Sequence, residues 1–234
     1  MNASIKTTRK LRVLVVDDNP VHLKAAEQTL ADCELTTCST HDEAHELLLP
    51  KYDEEKRDLL YKKYMGESLS SNEFWERVCE ESRFPYWDAV LCDLLMPAGE
   101  RAQGDQGLRF VGQEMAIGWG LALNAVENGA KYVAVVTDMD HHDHPASALL
   151  DNVSEHVFQM DNSRILFTNN VGMVGIKGTE DSCQKCSGTK ELSRHDGTKY
   201  PCYSCGGTGT DFAEKGKDWG DVLTKLTGQT NPAG

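Results

Sequence analysis

Residues 11–30 read LRVLVVDDNPVHLKAAEQTL. The first six are apolar but for Arg12, the pattern of a parallel strand buried on both faces. The run stops at Asp17 and Asp18. Asn19 then offers a helix N-cap, Pro20 fits the first helical position, and Val21, Leu23, Ala25, Ala26 and Leu30 repeat at helical spacing. A strand, an acidic turn and a helix follow one another within twenty residues, so the chain opens as an α/β protein.

The alternation continues. Residues 34–39 form a weaker second strand, and Thr40 with Glu43 makes a capping box that opens a helix over HDEAHELLL. Residues 50–86 interrupt the order with two charged helical stretches, DEEKRDLLYKKY and NEFWERVCEE, the second opened by Ser70 and Glu73; these read as a helical insertion. The sheet resumes at WDAVLC, residues 87–92, which meets Asp93. A polar loop then leads to a long helix expected over residues 109–128. YVAVV, residues 132–136, is a fourth buried strand ending at Thr137, His144 and Pro145 start a short helix, and ILFT, residues 165–168, is a fifth strand. Trp219, Val222, Leu223 and Leu226 give a last amphipathic helix. Trp75, Trp87 and Trp119 read as packing anchors.

Five buried strands alternating with helices predict a doubly wound parallel sheet with ligands at the carboxyl ends of its strands. Asp17, Asp18, Asp93 and Thr137 all fall on that rim. Converging carboxylates repel unless a cation intervenes, and Mg²⁺ prefers a few carboxylate oxygens plus waters.

Cys183, Cys186, Cys202 and Cys205 form two CxxC pairs with fifteen residues between them, each running into a glycine-containing knuckle. Four thiolates at this spacing predict a tetrahedral Zn²⁺ site. Residues 180–210 hold almost no aliphatic side chain, so metal ligation would supply most of their folding free energy. The repeats resemble the CxxCxGxG repeats of the DnaJ-type chaperone zinc domain. CYSCGGTG matches in full, and CQKCSGTK has Lys190 where the last Gly belongs. Two repeats stand where that domain has four, so the resemblance implies one structural zinc and not chaperone activity.

LVVDDNP and VLCDLLMP together resemble the receiver domain of two-component response regulators, over most of the chain outside the insertions. The resemblance implies a flavodoxin-like five-stranded sheet in the order 2-1-3-4-5, with residues 1–179 and 211–234 forming the receiver-like domain and residues 180–210 an inserted zinc ribbon. It implies phosphorylation at Asp93, Mg²⁺ held by Asp17, Asp18 and Asp93, and Thr137 contacting the phosphoryl group. The donor would be a histidine kinase or a small acyl phosphate, and the output a protein contact near the last strand and last helix. Such a chain accepts a phosphoryl group rather than turning over a substrate. Receivers carry a Lys at the end of the fifth strand; here Asn169 follows ILFT, and Lys177 is the candidate if the strand is instead MVGIK. Asp138 stands where receivers favour a small residue, and its charge would repel a phosphoryl group. A degenerate pseudo-receiver, a non-switching interaction module with structural zinc, is the alternative.

Residues 137–145, TDMDHHDHP, suggest a second metal site from Asp138, Asp140, His141, His142 and His144, and with it a metal-dependent hydrolase; a solvated loop capping the next helix is the plainer reading. The net charge of −13, from 24 Lys and Arg against 37 Asp and Glu, argues against a nucleic-acid surface. No signal peptide or membrane-spanning run is recognised, and Cys33, Cys38, Cys79 and Cys92 read as reduced core thiols, which predicts a cytoplasmic protein.

Overall fold

The computed structural model describes residues 9–228 apart from 102–103, 141, 154 and 206. Its first half builds β1 (Arg12–Val16), α1 (Pro20–Thr29), β2 (Glu34–Cys38), α2 (His41–Leu47), α3 (Glu54–Tyr64), α4 (Ser71–Ser82) and β3 (Ala89–Asp93). There follow α5 (Gly118–Glu127), β4 (Tyr132–Val136), α6 (Pro145–Leu150), β5 (Val157–Met160), β6 (Ser163–Thr168) and, near the end, α7 (Trp219–Thr227). The central sheet runs β2-β1-β3-β4-β6-β5. Its first five members are parallel, and β5 joins the edge antiparallel to β6.

The sheet is therefore mixed and six-stranded, where five parallel strands were expected. The added strand comes from a hairpin whose tight turn has Asp161 in the left-handed region at φ 50°. With one side on β6 and the other at the edge, β5 needs no full apolar run, and its residues are half-buried or exposed.

Successive side chains of the inner strands point to opposite faces and both faces are covered. Leu14, Val16, Val90, Cys92, Val133, Val135, Ile165 and Phe167 pack with α2 and α5. Val13, Val15, Ala89, Leu91, Ala134, Val136 and Leu166 pack with α1 and α7. Each fully buried Val or Leu stabilises this arrangement by about 1.5–3 kcal/mol before entropy. Trp219 is buried at the start of α7, and its indole N–H donates to the His22 carbonyl. That bond ties the last helix to the first.

The helical insertion forms α3 and α4, closed by a short antiparallel pair, Lys51–Tyr52 with Arg83–Phe84. The Ser70–Glu73 capping box is complete. Trp87 is an anchor, its indole N–H donating to the Leu47 carbonyl, and Trp119 packs on Phe167. Trp75 is not: it is 49% exposed and stacks with Tyr61 and Phe74 on the outside of the insertion. Cys38 and Cys92 are buried thiols, while Cys33 and Cys79 are only half-buried.

The long helix expected over residues 109–128 is shortened to α5. Gly112 takes φ +75°, which stops a right-handed helix, and Glu114–Met115 pairs instead with Met96–Pro97. A 3-10 turn spans Leu108–Phe110, but the α-helix begins only at Gly118, where any Cβ would collide with the Asp93 carbonyl oxygen. That close approach brings the start of α5 onto the backbone of the acidic rim.

Between β6 and α7 the chain makes a stem and a ribbon. β7 (Met173–Gly175), β8 (Glu180–Ser182), β9 (Glu191–Ser193), β10 (Lys199–Pro201), β11 (Thr210–Phe212) and β12 (Lys215–Lys217) pair as β7 with β12, β8 with β11 and β9 with β10. The stem lies on α1. Gln28 donates to the Gly175 carbonyl and accepts from the Lys177 N–H, and a Cβ at Gly216 would lie 2.6 Å from Ala25 Cβ and 2.7 Å from the Val21 carbonyl oxygen. Among the described residues no helix is long and apolar enough to cross a membrane.

Candidate functional site

The parallel register puts the ends of β1, β3 and β4 side by side. Asp17 follows β1, Asp93 ends β3 opposite Val136, and Thr137 follows β4. Asp17 is fully buried, with Oδ1 accepting the Asn19 N–H and so shaping the turn into α1. Asp93 Oδ1 accepts the N–H of Leu94. Asp18 is exposed at the mouth.

The cation of this pocket is Lys217. Its Nζ lies 2.7 Å from Asp93 Oδ1, 2.8 Å from Asp17 Oδ2 and 3.3 Å from Asp138 Oδ1. The side chain is only 1% exposed. This corrects the assignment of Lys177, which is exposed and contributes only its backbone N–H to Gln28. Lys217 ends β12 immediately before the Asp218 cap of α7, whose carboxylate accepts the Asp221 N–H. It thus enters the pocket from beyond the ribbon, 49 residues after Thr168 in the numbering.

His22 is a second residue that the sequence did not single out. It is 4% exposed on the inner side of α1. Its Nδ1 accepts the Lys217 N–H at 3.4 Å, and its Nε2 lies 3.3 Å from Asp138 Oδ2 and 3.3 Å from the Asn19 side-chain amide. An imidazole on the buried side of a helix reads as a core residue in sequence, and only the fold brings Asp138 to it.

Electrostatics follow from three carboxylates around one ammonium. Burial alone would push the pKa of the Lys217 ammonium down, but Asp93, Asp17 and Asp138 outweigh it and hold it above the usual lysine range. Burial, with Asp17 beside it, pushes the Asp93 carboxyl up to about 7 against the opposing pull of Lys217. Asp18 is raised by partial burial and by Asp17. Asp138 is held well below the usual carboxylate range, first by the hydrogen bond from His22 and further by Lys217, although partial burial opposes both. The pocket carries more negative charge than Lys217 offsets. Asp17, Asp18 and Asp93 each offer an oxygen within 4.8 Å of the others, a set that could hold a metal ion.

Thr137 is buried, its hydroxyl accepting the Met139 N–H. Among the described residues, the rest of the TDMDHHDHP loop forms no group able to hold a metal ion. Asp140 accepts the His142 N–H, and His144 caps α6 by accepting the Ala146 N–H at Nδ1. His141 lies outside the described residues. Among those described, the two groups able to hold a metal are the acidic triad and the four ribbon cysteines.

That second group is a cysteine cage. Cys183 and Cys202 Sγ lie 3.8 Å apart, as do Cys186 and Cys205 Sγ, and all four sulfurs lie within 4.8 Å of one another. A tetrahedral zinc with Zn–S near 2.3 Å sets its sulfurs about 3.8 Å apart. The cluster could therefore bind a zinc ion, and the separations are far too long for disulfides. Desolvation raises the Cys205 thiol, but the N–H groups of Gly209 and Gly207 outweigh it and hold it at about 6. Gly207 and Gly209 take φ +82° and +85°; in the first knuckle Lys190 takes φ +71° where the repeat would have glycine. The departure seen in the sequence is thus a side chain in a left-handed conformation that glycine adopts more easily.

No family model, no curated protein and no solved structure matches this chain.

Proposed function

We propose that this chain is a receiver-like signalling domain that accepts a phosphoryl group on Asp93. The observation that carries the reading is the buried Lys217 ammonium on both Asp17 and Asp93 at the carboxyl rim of a parallel sheet, with Asp18 at the mouth and Thr137 on the neighbouring strand. In this reading the parallel strands follow the flavodoxin-like order, β5 is an added edge, and residues 180–210 are an inserted ribbon closed by structural zinc.

In the transfer, an Asp93 oxygen attacks phosphorus in line, the bond from phosphorus to the donor atom breaks, and the donor leaves with the bonding pair; with acetyl phosphate the leaving group is acetate. Asp93 Oδ1 is engaged by Lys217 and Leu94. Oδ2 carries no hydrogen bond among the described residues and is the oxygen free to react. Asp17 and Asp18, with Asp93, would hold Mg²⁺, which when bound neutralises charge on the phosphoryl oxygens. Lys217 compensates the charge added beside it. The Thr137 hydroxyl accepts from Met139 and in this reading donates its own hydrogen toward the new group.

The donor would be a histidine kinase or a small acyl phosphate, in the cytoplasm, and the output a protein contact near β6, α7 and the ribbon. Direct nucleic-acid binding is not part of this reading. A pseudo-receiver is favoured by one specific observation: Asp138 reaches both Lys217 and His22 and stands where an incoming phosphoryl group would compete. Incubation with acetyl phosphate and Mg²⁺, followed by intact mass, separates the two. The acceptor reading expects one phosphoryl adduct that Asp93→Asn abolishes; no adduct, or one that survives the substitution, leaves the pseudo-receiver.

A further inference from the structure

Among the described members of the pocket's ion-pair network, Asp138 is the one whose side chain is free to leave it. Its side chain is 43% exposed, whereas those of Lys217 and His22 are 1% and 6% exposed. The backbone around it is pinned: the Met139 N–H donates to Thr137 Oγ1, and Ser147 Oγ donates to the Met139 carbonyl. A rotation of one side chain into solvent would therefore suffice, with no loop movement. The two groups it would leave behind are donors. Lys217 is an ammonium, and the Lys217 backbone N–H on His22 Nδ1 takes the lone pair there, which places the ring's N–H on Nε2, the nitrogen that faces Asp138 and the Asn19 amide.

We propose that Lys217 Nζ and His22 Nε2 form an oxyanion-binding position on the rim, and that the Asp138 carboxylate occupies it as an internal competitor. A phosphate-type oxyanion enters when Asp138 swings out. The carboxylate presents one oxygen to each donor, Oδ1 to Lys217 at 3.3 Å and Oδ2 to His22 at 3.3 Å, and two oxygens of a tetrahedral anion can take the same pair. The position does not require Asp93 to be an acceptor. Its bearing on phosphoryl transfer rests on the acceptor reading, in which Asp138 would set how readily the transferred group finds Lys217, and His22 would be an added donor to it. Asp17 and Asp93 also face Lys217 and oppose any anion, so a cation in the acidic triad favours occupancy.

The test is a titration of the full chain with inorganic phosphate in the presence of Mg²⁺, read by calorimetry, for wild type, Asp138→Ala, Asp138→Asn and Asp138→Ala/Lys217→Met. Removing a full charge this close to Lys217 is expected to tighten phosphate binding at least about tenfold. Asp138→Asn keeps the shape and the His22 bond, so it should gain less, and it serves as the folded isostere if the alanine variant melts. The Lys217→Met change should erase the gain. Equal affinity in wild type and both single variants, or a gain that survives Lys217→Met, overturns the proposal. The Asp93 adduct is scored separately on the same proteins: phosphate binding that improves without any adduct would sink the acceptor reading while leaving the anion position intact.

Discussion

Replacing Lys217 with methionine keeps most of the side-chain volume and removes one charge from a position with no solvent access. Asp17 and Asp93 would then face each other buried with no counter-ion, and Asp138 would lose its cation. Breaking a buried pair by deleting one partner costs about 3–5 kcal/mol, whereas Lys177→Met, at an exposed position, should fall within about 0.5 kcal/mol. The penalty should depend on conditions in a defined way. It should shrink at pH 5, where Asp93 can take up a proton, and it should shrink with millimolar Mg²⁺ if a cation in the acidic triad takes over the role of the ammonium. It should also be smaller in an Asp93→Asn background, giving a coupling energy of at least about 1 kcal/mol in a double-mutant cycle. Urea unfolding of wild type, Lys217→Met, Lys177→Met, Asp93→Asn and the Lys217→Met/Asp93→Asn double variant at pH 5 and pH 8, with and without Mg²⁺, measures all of this. A Lys217→Met protein no less stable than Lys177→Met at pH 8 would refute the reasoning.

Three further outcomes are expected. The Asp93 carboxyl is raised to about 7 in the fold from an ordinary value near 4, so its protonation favours the folded state below about pH 4 and that contribution is lost as pH rises through 7; without added divalent metal the wild type should lose stability across this window, by on the order of 4 kcal/mol at most, and Asp93→Asn should flatten the slope in urea midpoints. If the four cysteines hold zinc, chelation should deprotect amides of residues 180–212 to hydrogen exchange while Met173 and Lys217 stay protected, because the stem is held on α1 by Gln28, His22 and Gly216; equal loss at Lys217 would show that the stem depends on the ribbon. Lys190→Gly should relieve a left-handed side chain by about 1 kcal/mol and strengthen zinc retention against a competing chelator by about fivefold, with weaker retention counting against the φ argument.

The parts of this fold that sequence exposes are those where one physical requirement dominates. A strand buried on both faces must be apolar throughout, so β1, β3, β4 and β6 announce themselves, and a thiolate cage must space its cysteines in close pairs. β5 was hidden because an edge strand needs neither an apolar run nor alternation. The overlong helix before Asn128 was read from composition, whereas Gly112 and the approach of Gly118 to Asp93 decide where it starts. Lys217 was missed for a topological reason. The ribbon separates it from β6, so a search near the end of that strand finds Asn169 and Lys177 instead. Its position directly before the capped last helix was the available signal. Asp138 was legible as a charge hostile to a phosphoryl group, but not as a charge with its own two partners, because His22 lies more than a hundred residues away in sequence.

The most direct measurement is the location of the phosphoryl group. The protein treated with acetyl phosphate and Mg²⁺, reduced with borohydride to convert an acyl phosphate into homoserine and mapped by peptide mass spectrometry, should carry the conversion at residue 93. The Lys217→Met variant, if folded, should carry less. Conversion at another carboxylate, or none at residue 93 in folded wild-type protein, would contradict a phosphoryl acceptor built on Asp93 and Lys217.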